Sequence, residues 1–248
     1  MTATKNDLAW NKLFEKYSIL ENIEKYNRFE ITSTQINEFR EARLMTKFDF
    51  RSHLPKIFKE NKLSILPITR GTYIISNFDA YKDFENISDE VISIPFPQHI
   101  ESIEYGNITS EAIALNCAFI TSIIEDFMEE DGVKPTISGR MSSSSFDFNI
   151  NTLDNTTVPV SITNSQIEID GGFEGYKSLA LIEAKNVVSS DFIIRQLYYP
   201  FRLWNSRMKK KVRPMYLMYT NDTFTLYEYK FHDPNNYNSL ELIRQKTM

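Results

Sequence analysis

The residues best suited to chemistry lie between Gln166 and Asn186. Gln166-Ile167-Glu168-Ile169-Asp170-Gly171-Gly172-Phe173 places an acid at the end of an apolar strand, before a Gly-rich turn. Leu179-Ala180-Leu181-Ile182-Glu183-Ala184-Lys185-Asn186 follows as a second apolar strand that ends in Glu-x-Lys. Strand side chains alternate between faces, so Leu179, Leu181, Glu183 and Lys185 share one face, and Ala180, Ile182 and Ala184 share the other. Glu183 and Lys185 then project from the end of a buried strand, where each charge carries a desolvation cost. With Asp170 on the adjoining strand, the set offers two carboxylates for a hard divalent cation and one ammonium for a phosphate or an attacking water. Hydrolysis of a phosphodiester needs such a set.

These strands must be held by their neighbours. Thr109-Ser110-Glu111 opens a long helix to about Glu130, with Ala112, Leu115, Ala118, Phe119 and Phe127 on an apolar face and Gly132 and Pro135 at its end. Strands are expected over Phe146–Ile150 and Val158–Thr163, around a turn at Asp154-Asn155-Thr156-Thr157. Ser189-Ser190-Asp191 predicts the cap of a helix with Phe192, Ile193, Leu197, Phe201 and Leu203 inward. Lys209–Arg213 reads as a basic turn, and Met215–Thr220 and Phe224–Lys230 as a closing hairpin. Helix, several strands, helix, strand is an α/β (α+β) order.

Ahead of this half, the apolar positions Leu8, Trp10, Leu13, Phe14, Tyr17, Leu20 and Ile23 predict one helix from Asp7 to Tyr26, with Asp7 as its cap. A short helix follows from Ser33, a third from His53 with Pro55 in its first turn, and then two strands, Ser64–Ile68 and Thr72–Ser76. Three helices and a hairpin make a winged-helix-like module over residues 1–95. Arg51, Lys56, Lys59 and the hairpin Arg70 are its candidate DNA contacts. A helical subdomain used only for packing or dimerisation is the structural alternative. Residues 86–108, with Pro95 and Pro97, read as a linker into a second domain, 96–248.

Composition narrows the class. The chain has 248 residues, 42% of them hydrophobic, with 18 Phe and 13 Tyr, enough for a large core. No apolar run reaches the ~18 residues of a membrane span, and the first residues lack a basic-then-apolar leader. A single cysteine, Cys117, excludes an internal disulfide and a Cys-based zinc site, which fits a cytoplasmic location. Cys117 itself falls among apolar helix positions and reads as packing. His53, His99 and His232 show no ligand spacing. The net charge of −5 does not suggest a general nucleic-acid binder; affinity for phosphates depends on where Lys and Arg are placed rather than on their sum.

The Asp170…Glu183-Ala184-Lys185 pattern, with twelve residues between Asp170 and Glu183, resembles the PD-(D/E)xK nuclease superfamily and, within it, the type II restriction endonucleases. Ile169 stands where the motif has its Pro. The resemblance covers roughly residues 109–231. It implies a restriction-endonuclease-like αβββαβ core in which Asp170 and Glu183 hold Mg²⁺ with the Ala184 carbonyl, and Lys185 positions the water or stabilises the reacting phosphate. It also implies a helper carboxylate on the first helix, Glu111, with Glu125 as rival, and a catalytic Gln196 on the helix after Glu-x-Lys. The activity implied is site-specific cleavage of double-stranded DNA by a homodimer, with a companion DNA methyltransferase. Arg140 with the serine run Ser142, Ser143 and Ser144 reads either as a flexible polar loop or as a loop lying against DNA, and Asn186 as a further contact. A repair or recombination nuclease of the same fold, and a non-catalytic winged-helix DNA-binding protein, are the other readings.

Overall fold

The structure is a computed structural model that describes residues 3–87 and 90–248. Met1, Thr2 and two positions of the expected linker, 88 and 89, lie outside the described residues.

Thr4, rather than Asp7, caps α1 (Lys5–Lys16). Its hydroxyl accepts from the Asp7 amide at 3.1 Å, and the Asp7 carboxylate accepts back from the Thr4 amide at 2.8 Å. The expected single helix is interrupted at Ser18, held at φ +45°, and resumes as α2 (Ile19–Tyr26). Next come β1 (Phe29–Thr32), α3 (Ser33–Asn37), α4 (Ala42–Met45), a 3₁₀ turn at Arg51–His53 and α5 (Lys56–Glu60). The third expected helix thus begins after Pro55 rather than at His53. β2 (Ser64–Pro67) and β3 (Thr72–Ser76) form the expected hairpin, with β1 added along β3 as a third antiparallel strand.

The rest of the chain is built on a six-stranded sheet. β4 (Tyr81–Asp83) is the element before α6 (Glu111–Ile120). The expected long helix breaks at Ser122, φ +59°, and continues as α7 (Ile123–Met128). β5 (Lys134–Ser142), β6 (Phe146–Asn151), β7 (Thr157–Ile162), β8 (Gln166–Glu174), β9 (Ser178–Lys185), β10 (Asp191–Ile193), α8 (Arg195–Asn205), β11 (Lys211–Thr220), β12 (Thr223–Phe231) and β13 (Leu240–Thr247) complete the chain. The main sheet runs β13-β12-β11-β9-β8-β5. β11 is parallel to β9 across the α8 crossover, and the other pairs are antiparallel. The fold is mixed α/β.

Several expectations change. β6 and β7, expected among the strands of the core, form a separate two-stranded sheet, with Asn149 of β6 making a further isolated bridge to Asn236. Their alternation signals one buried face and says nothing about which sheet receives them. Asp191–Ile193 is a strand paired with β4 rather than the start of a helix, because the apolar run Phe192-Ile193-Ile194 is fully buried there. Gly171-Gly172 is not a turn. β8 runs through it to Glu174, and the chain reverses at residues 175–177. The lack of a side chain at Gly172 admits the neighbouring strand, since an added Cβ would stand 2.7 Å from the Ile137 Cβ. Gly172→Ala is expected to cost about 1–3 kcal/mol of stability by overpacking, read as a lower urea midpoint; an unchanged midpoint would mean that β5 yields freely.

Two apolar clusters flank the sheet. Ala180, Ile182 and Ala184 of β9 pack with α6 and α7, together with Cys117, as the face alternation predicted. Leu179 and Leu181 belong to a larger cluster that also holds Leu197 and Tyr216 and, from the first 75 residues, Trp10, Phe58 and Ile75. The amino-terminal elements therefore share one continuous core with the sheet. Burying one such side chain stabilises by roughly 1.5–3 kcal/mol. A chain beginning at residue 76 is expected to lose cooperative unfolding, and a sharp thermal transition from it would show that the sheet half has a sufficient core of its own. Among the described residues, no helix is long and apolar enough to cross a membrane.

Candidate active site

The β8–β9 register pairs Gly171 with Ile182, which brings Asp170 next to the end of β9. The Asp170 carboxylate accepts from the Ala184 amide at 2.9 Å and is thereby tied to the Glu-x-Lys backbone. Glu183 is buried. Its Oε1 accepts from both the Lys185 ammonium and the Gln196 side-chain amide. Lys185 also donates to the Ala184 carbonyl at 3.1 Å and lies 3.6 Å from the carboxylate of Glu111, at the start of α6. Ser110 caps that helix, accepting from the Ile113 amide at 3.2 Å, and so fixes where Glu111 stands. Asp170, Glu183, Lys185, Gln196 and Glu111 are therefore brought together from β8, β9, α8 and α6.

Burial governs the electrostatics. It pushes the Glu183 carboxyl up to about 8, against the pull of Lys185 and with help from Asp170. Burial also raises Asp170 and Glu111 above the usual carboxylate range, opposed in part by the Ala184 amide and by Lys185. At Lys185 burial disfavours the charge, but Glu183 and Asp170 outweigh it and hold the ammonium above its ordinary value. The site thus favours the charged form of Lys185 and disfavours that of the carboxylates around it.

The cluster opens into a cleft of about 610 Å³ whose walls come from both halves of the chain. Arg43, Lys47, Asp49, His53, Arg70 and Tyr73 line it from the amino-terminal half, and Glu168, Asn186, Arg195 and Gln196 from the sheet half. Asp49 did not emerge from the sequence. It is half-buried and makes no hydrogen bond or ion pair through its carboxylate among the described residues, yet its charge bears on Asp170, Glu183, Glu111 and Lys185 together. An acid set between two buried rings, Phe48 and Phe50, is the signal that could have pointed to it.

The proposed DNA contacts fall in different places. Arg70 and Asn186 line the cleft. Arg51 does not reach it; its guanidinium pairs with Asp83 and with Asp191 at 3.3 Å and donates to the Tyr81 carbonyl at 3.1 Å. This stitches the turn before α5 to the β4–β10 pair. Lys56 and Lys59 are exposed, Lys56 lying 3.5 Å from Glu60 and Lys59 donating to the Ser52 carbonyl at 2.7 Å. Arg140 donates to Glu168 at 3.1 Å from the exposed β5. Ser142 belongs to that strand rather than to a loop. Ser143 is buried, its hydroxyl donating to the carbonyl of the half-buried Ser144 at 2.9 Å. Glu125 accepts from the Val133 amide at 3.0 Å and is committed to the end of α7, which leaves Glu111 as the helix acid at the site.

The frame is mixed α/β, with the half-buried Asp170 in mid-β8, and the buried Glu183 and half-buried Lys185 at the end of the neighbouring β9. Residues 76–248 match the family described as Domain of unknown function (DUF6997), and the chain belongs to that family. Residues 7–75 match a second one, Domain of unknown function (DUF6996), so the two meet within β3, between Ile75 and Ser76. Comparison with curated proteins finds no match, and comparison with solved structures finds none.

Proposed function

We propose that the chain is a Mg²⁺-dependent endonuclease that hydrolyses phosphodiesters of double-stranded DNA at a short specific sequence, in the manner of type II restriction endonucleases. The observation that carries this reading is the convergence of Asp170, Glu183, Lys185 and Gln196 in one cleft. The mixed α/β frame around them supports the reading: once β6, β7 and β10 are set aside, α6/α7, β5, β8, β9, α8 and β11 come in an order compatible with such a core.

The donors suit a hard cation. Asp170, Glu183 and the Ala184 carbonyl offer oxygen alone, and the Gln196 Oε1 beside them is buried with no hydrogen-bond partner. Among the described residues no group of three or more His, Cys, Asp or Glu forms a complete cage. Mg²⁺ suits such a place, since it is commonly held by one or two carboxylates, with substrate phosphate oxygens completing its shell. Asp170, Glu183 and Ala184 would hold it, with Glu111 nearby across Lys185. When bound, the ion supplies Lewis acidity at the scissile phosphate and acidifies water.

The chain's own groups do the rest. Gln196 and Lys185 fix the Glu183 carboxylate, and the Ala184 amide fixes Asp170. The Lys185 ammonium stands where charge develops on the phosphate as the oxygen of water bonds to phosphorus, the P–O bond to the leaving strand breaks, and a proton passes to the leaving oxygen. A palindromic target would require two copies of the chain, hence a homodimer, and a host using such an enzyme would need a companion methyltransferase. Supercoiled plasmid and a long linear DNA, incubated with Mg²⁺ and with chelator, test the reading. Discrete Mg²⁺-dependent fragments are expected. A sequence-independent smear would favour a repair or recombination nuclease of the same fold, and intact DNA in every condition would leave a DNA-binding protein without catalysis.

A further inference from the structure

We infer that Arg195 and Arg70 form a phosphate subsite in the cleft, one that takes a backbone phosphate beside the phosphate that is cut. The subsite deepens the nuclease reading and rests on it for its role in catalysis.

Both guanidinium groups line the cleft that holds Glu183 and Lys185. Arg195 is half-buried and immediately precedes Gln196, so the helix that aims Gln196 at Glu183 also places Arg195. Arg70 is exposed at the tip of the β2–β3 hairpin. Among the described residues neither forms an ion pair or a side-chain hydrogen bond within the chain. Their neighbours are engaged: Arg43 pairs with Glu41 at 2.6 Å, Arg140 with Glu168 at 3.1 Å, and Lys47 lies 3.8 Å from Glu168. A half-buried guanidinium without a carboxylate is poorly compensated, and its planar fork matches two oxygens of a phosphate.

The two arginines are also mechanically joined. Arg195 lies over the Tyr199 ring at 5.8 Å. The buried Tyr199 donates its hydroxyl to the carbonyl of Pro67, the last residue of β2, at 3.0 Å. The hairpin tip is held in turn: the Ile68 amide donates to Thr72 at 2.9 Å, the Ser33 amide to Gly71 at 2.7 Å, and the Thr163 amide to Ile68 at 2.9 Å. α8 and the tip are thus fixed relative to one another before any ligand arrives, which lowers the ordering cost of binding. The amino-terminal half then contributes a cation to the reacting strand itself, beyond any reading of bases.

The test uses the full chain and deoxythymidine 3′,5′-bisphosphate, which carries two phosphates one nucleoside apart, in calorimetric titration without metal. Wild type is expected to bind it. Arg195→Ala, Arg195→Lys and Arg70→Ala should each weaken binding by about tenfold or more, while Arg207→Ala, exposed just beyond α8, should not. With duplex DNA in Ca²⁺, each Ala variant should also flatten the salt dependence by about one unit of slope. Thermal unfolding keeps the reading honest, since Arg70 is exposed and its Ala variant is expected to fold if Arg195→Ala does not. Absence of bisphosphate binding by wild type, or equal affinity in wild type and Arg70→Ala, overturns the subsite. If the arginines govern bisphosphate binding but Mg²⁺ gives no DNA cleavage, the subsite stands and the nuclease reading falls.

Discussion

Asp170→Asn, Glu183→Gln and Lys185→Ala are each expected to lower single-turnover DNA cleavage by on the order of 10³-fold or more, while DNA binding in Ca²⁺ stays within a few-fold of wild type. On the proposed reading the two carboxylates would hold the divalent ion, and both raise the Lys185 ammonium above its ordinary value. Ground-state affinity, by contrast, is spread over many phosphates. Lys185→Arg should not rescue, because a wide planar fork cannot take the place of a compact ammonium held by Glu183, Glu111 and the Ala184 carbonyl. A Lys185→Ala protein that cuts at the normal rate but binds a hundredfold more weakly would make Lys185 a binding residue instead.

The same burial sets a pH dependence that can be read without turnover. Glu183 is raised from 4.5 to about 8 in the folded chain, so its contribution to stability is fully present below 4.5 and is lost as pH rises through 8. If Glu183 holds Mg²⁺ as proposed, the ion would have to displace that proton below pH 8. Its apparent affinity should therefore rise by up to about tenfold per pH unit between pH 6 and 8, and the Mg²⁺-induced gain in melting temperature should be larger at pH 8 than at pH 6.5. An equal gain at both values would mean that Glu183 is not a ligand.

The second large effect is structural. Glu228 and Arg213, on neighbouring strands β12 and β11, are 3% and 6% exposed and form a two-pronged pair, Nε to Oε1 at 2.8 Å and Nη2 to Oε2 at 2.6 Å. Arg244 reaches the same carboxylate at 3.1 Å, and Arg213 also donates to the Met128 carbonyl at 2.7 Å, at the end of α7. Burial would raise Glu228, but Arg213, Lys211 and Arg244 outweigh it and hold the carboxyl below its ordinary value, so this stability is present above 4.5 and lost as pH falls. Glu228→Ala strands a buried guanidinium and is expected to cost about 3–5 kcal/mol. The double variant Arg213→Met with Glu228→Leu should recover much of that loss, because two apolar groups carry no unpaired charge. Urea titrations of the three proteins decide it; a loss below about 1 kcal/mol in the single variant would show that water reaches the pair.

Parts of this molecule could be read from the chain because their residues meet one another locally. β9 alternates in earnest, and its two faces do enter two different cores. The hairpins around residues 69–71 and 221–222 announce themselves by turn residues. The strands that were missed sit at edges or are very short. β5, Lys134–Ser142, is exposed along most of its length and carries Pro135 and Gly139, both tolerated where only one side of a strand is paired. β13 is likewise an edge strand without a continuous buried face, and β1 has only four residues. The breaks at Ser18 and Ser122 depend on a left-handed backbone that serine seldom adopts, and neighbouring residues give no sign of it. At the site, Asp170, Glu183 and Lys185 were legible because two neighbouring apolar strands carry them, whereas Glu111 and Gln196 entered only through the family resemblance. Asp49 and Arg195 were not, because only the closing of one half of the chain on the other brings them there.

The continuous core beneath the β1–β3–β2 sheet has an evolutionary consequence. The two families meet at residues 75 and 76, yet Trp10 and Phe58 lie in one apolar cluster with Leu181 and Tyr216. Arg51 further rivets the first segment to Asp83 and Asp191. A segment so joined cannot be shuffled between genes as an interchangeable cassette, because its removal would bare the underside of the sheet. Lineages of this protein should therefore inherit the two segments together.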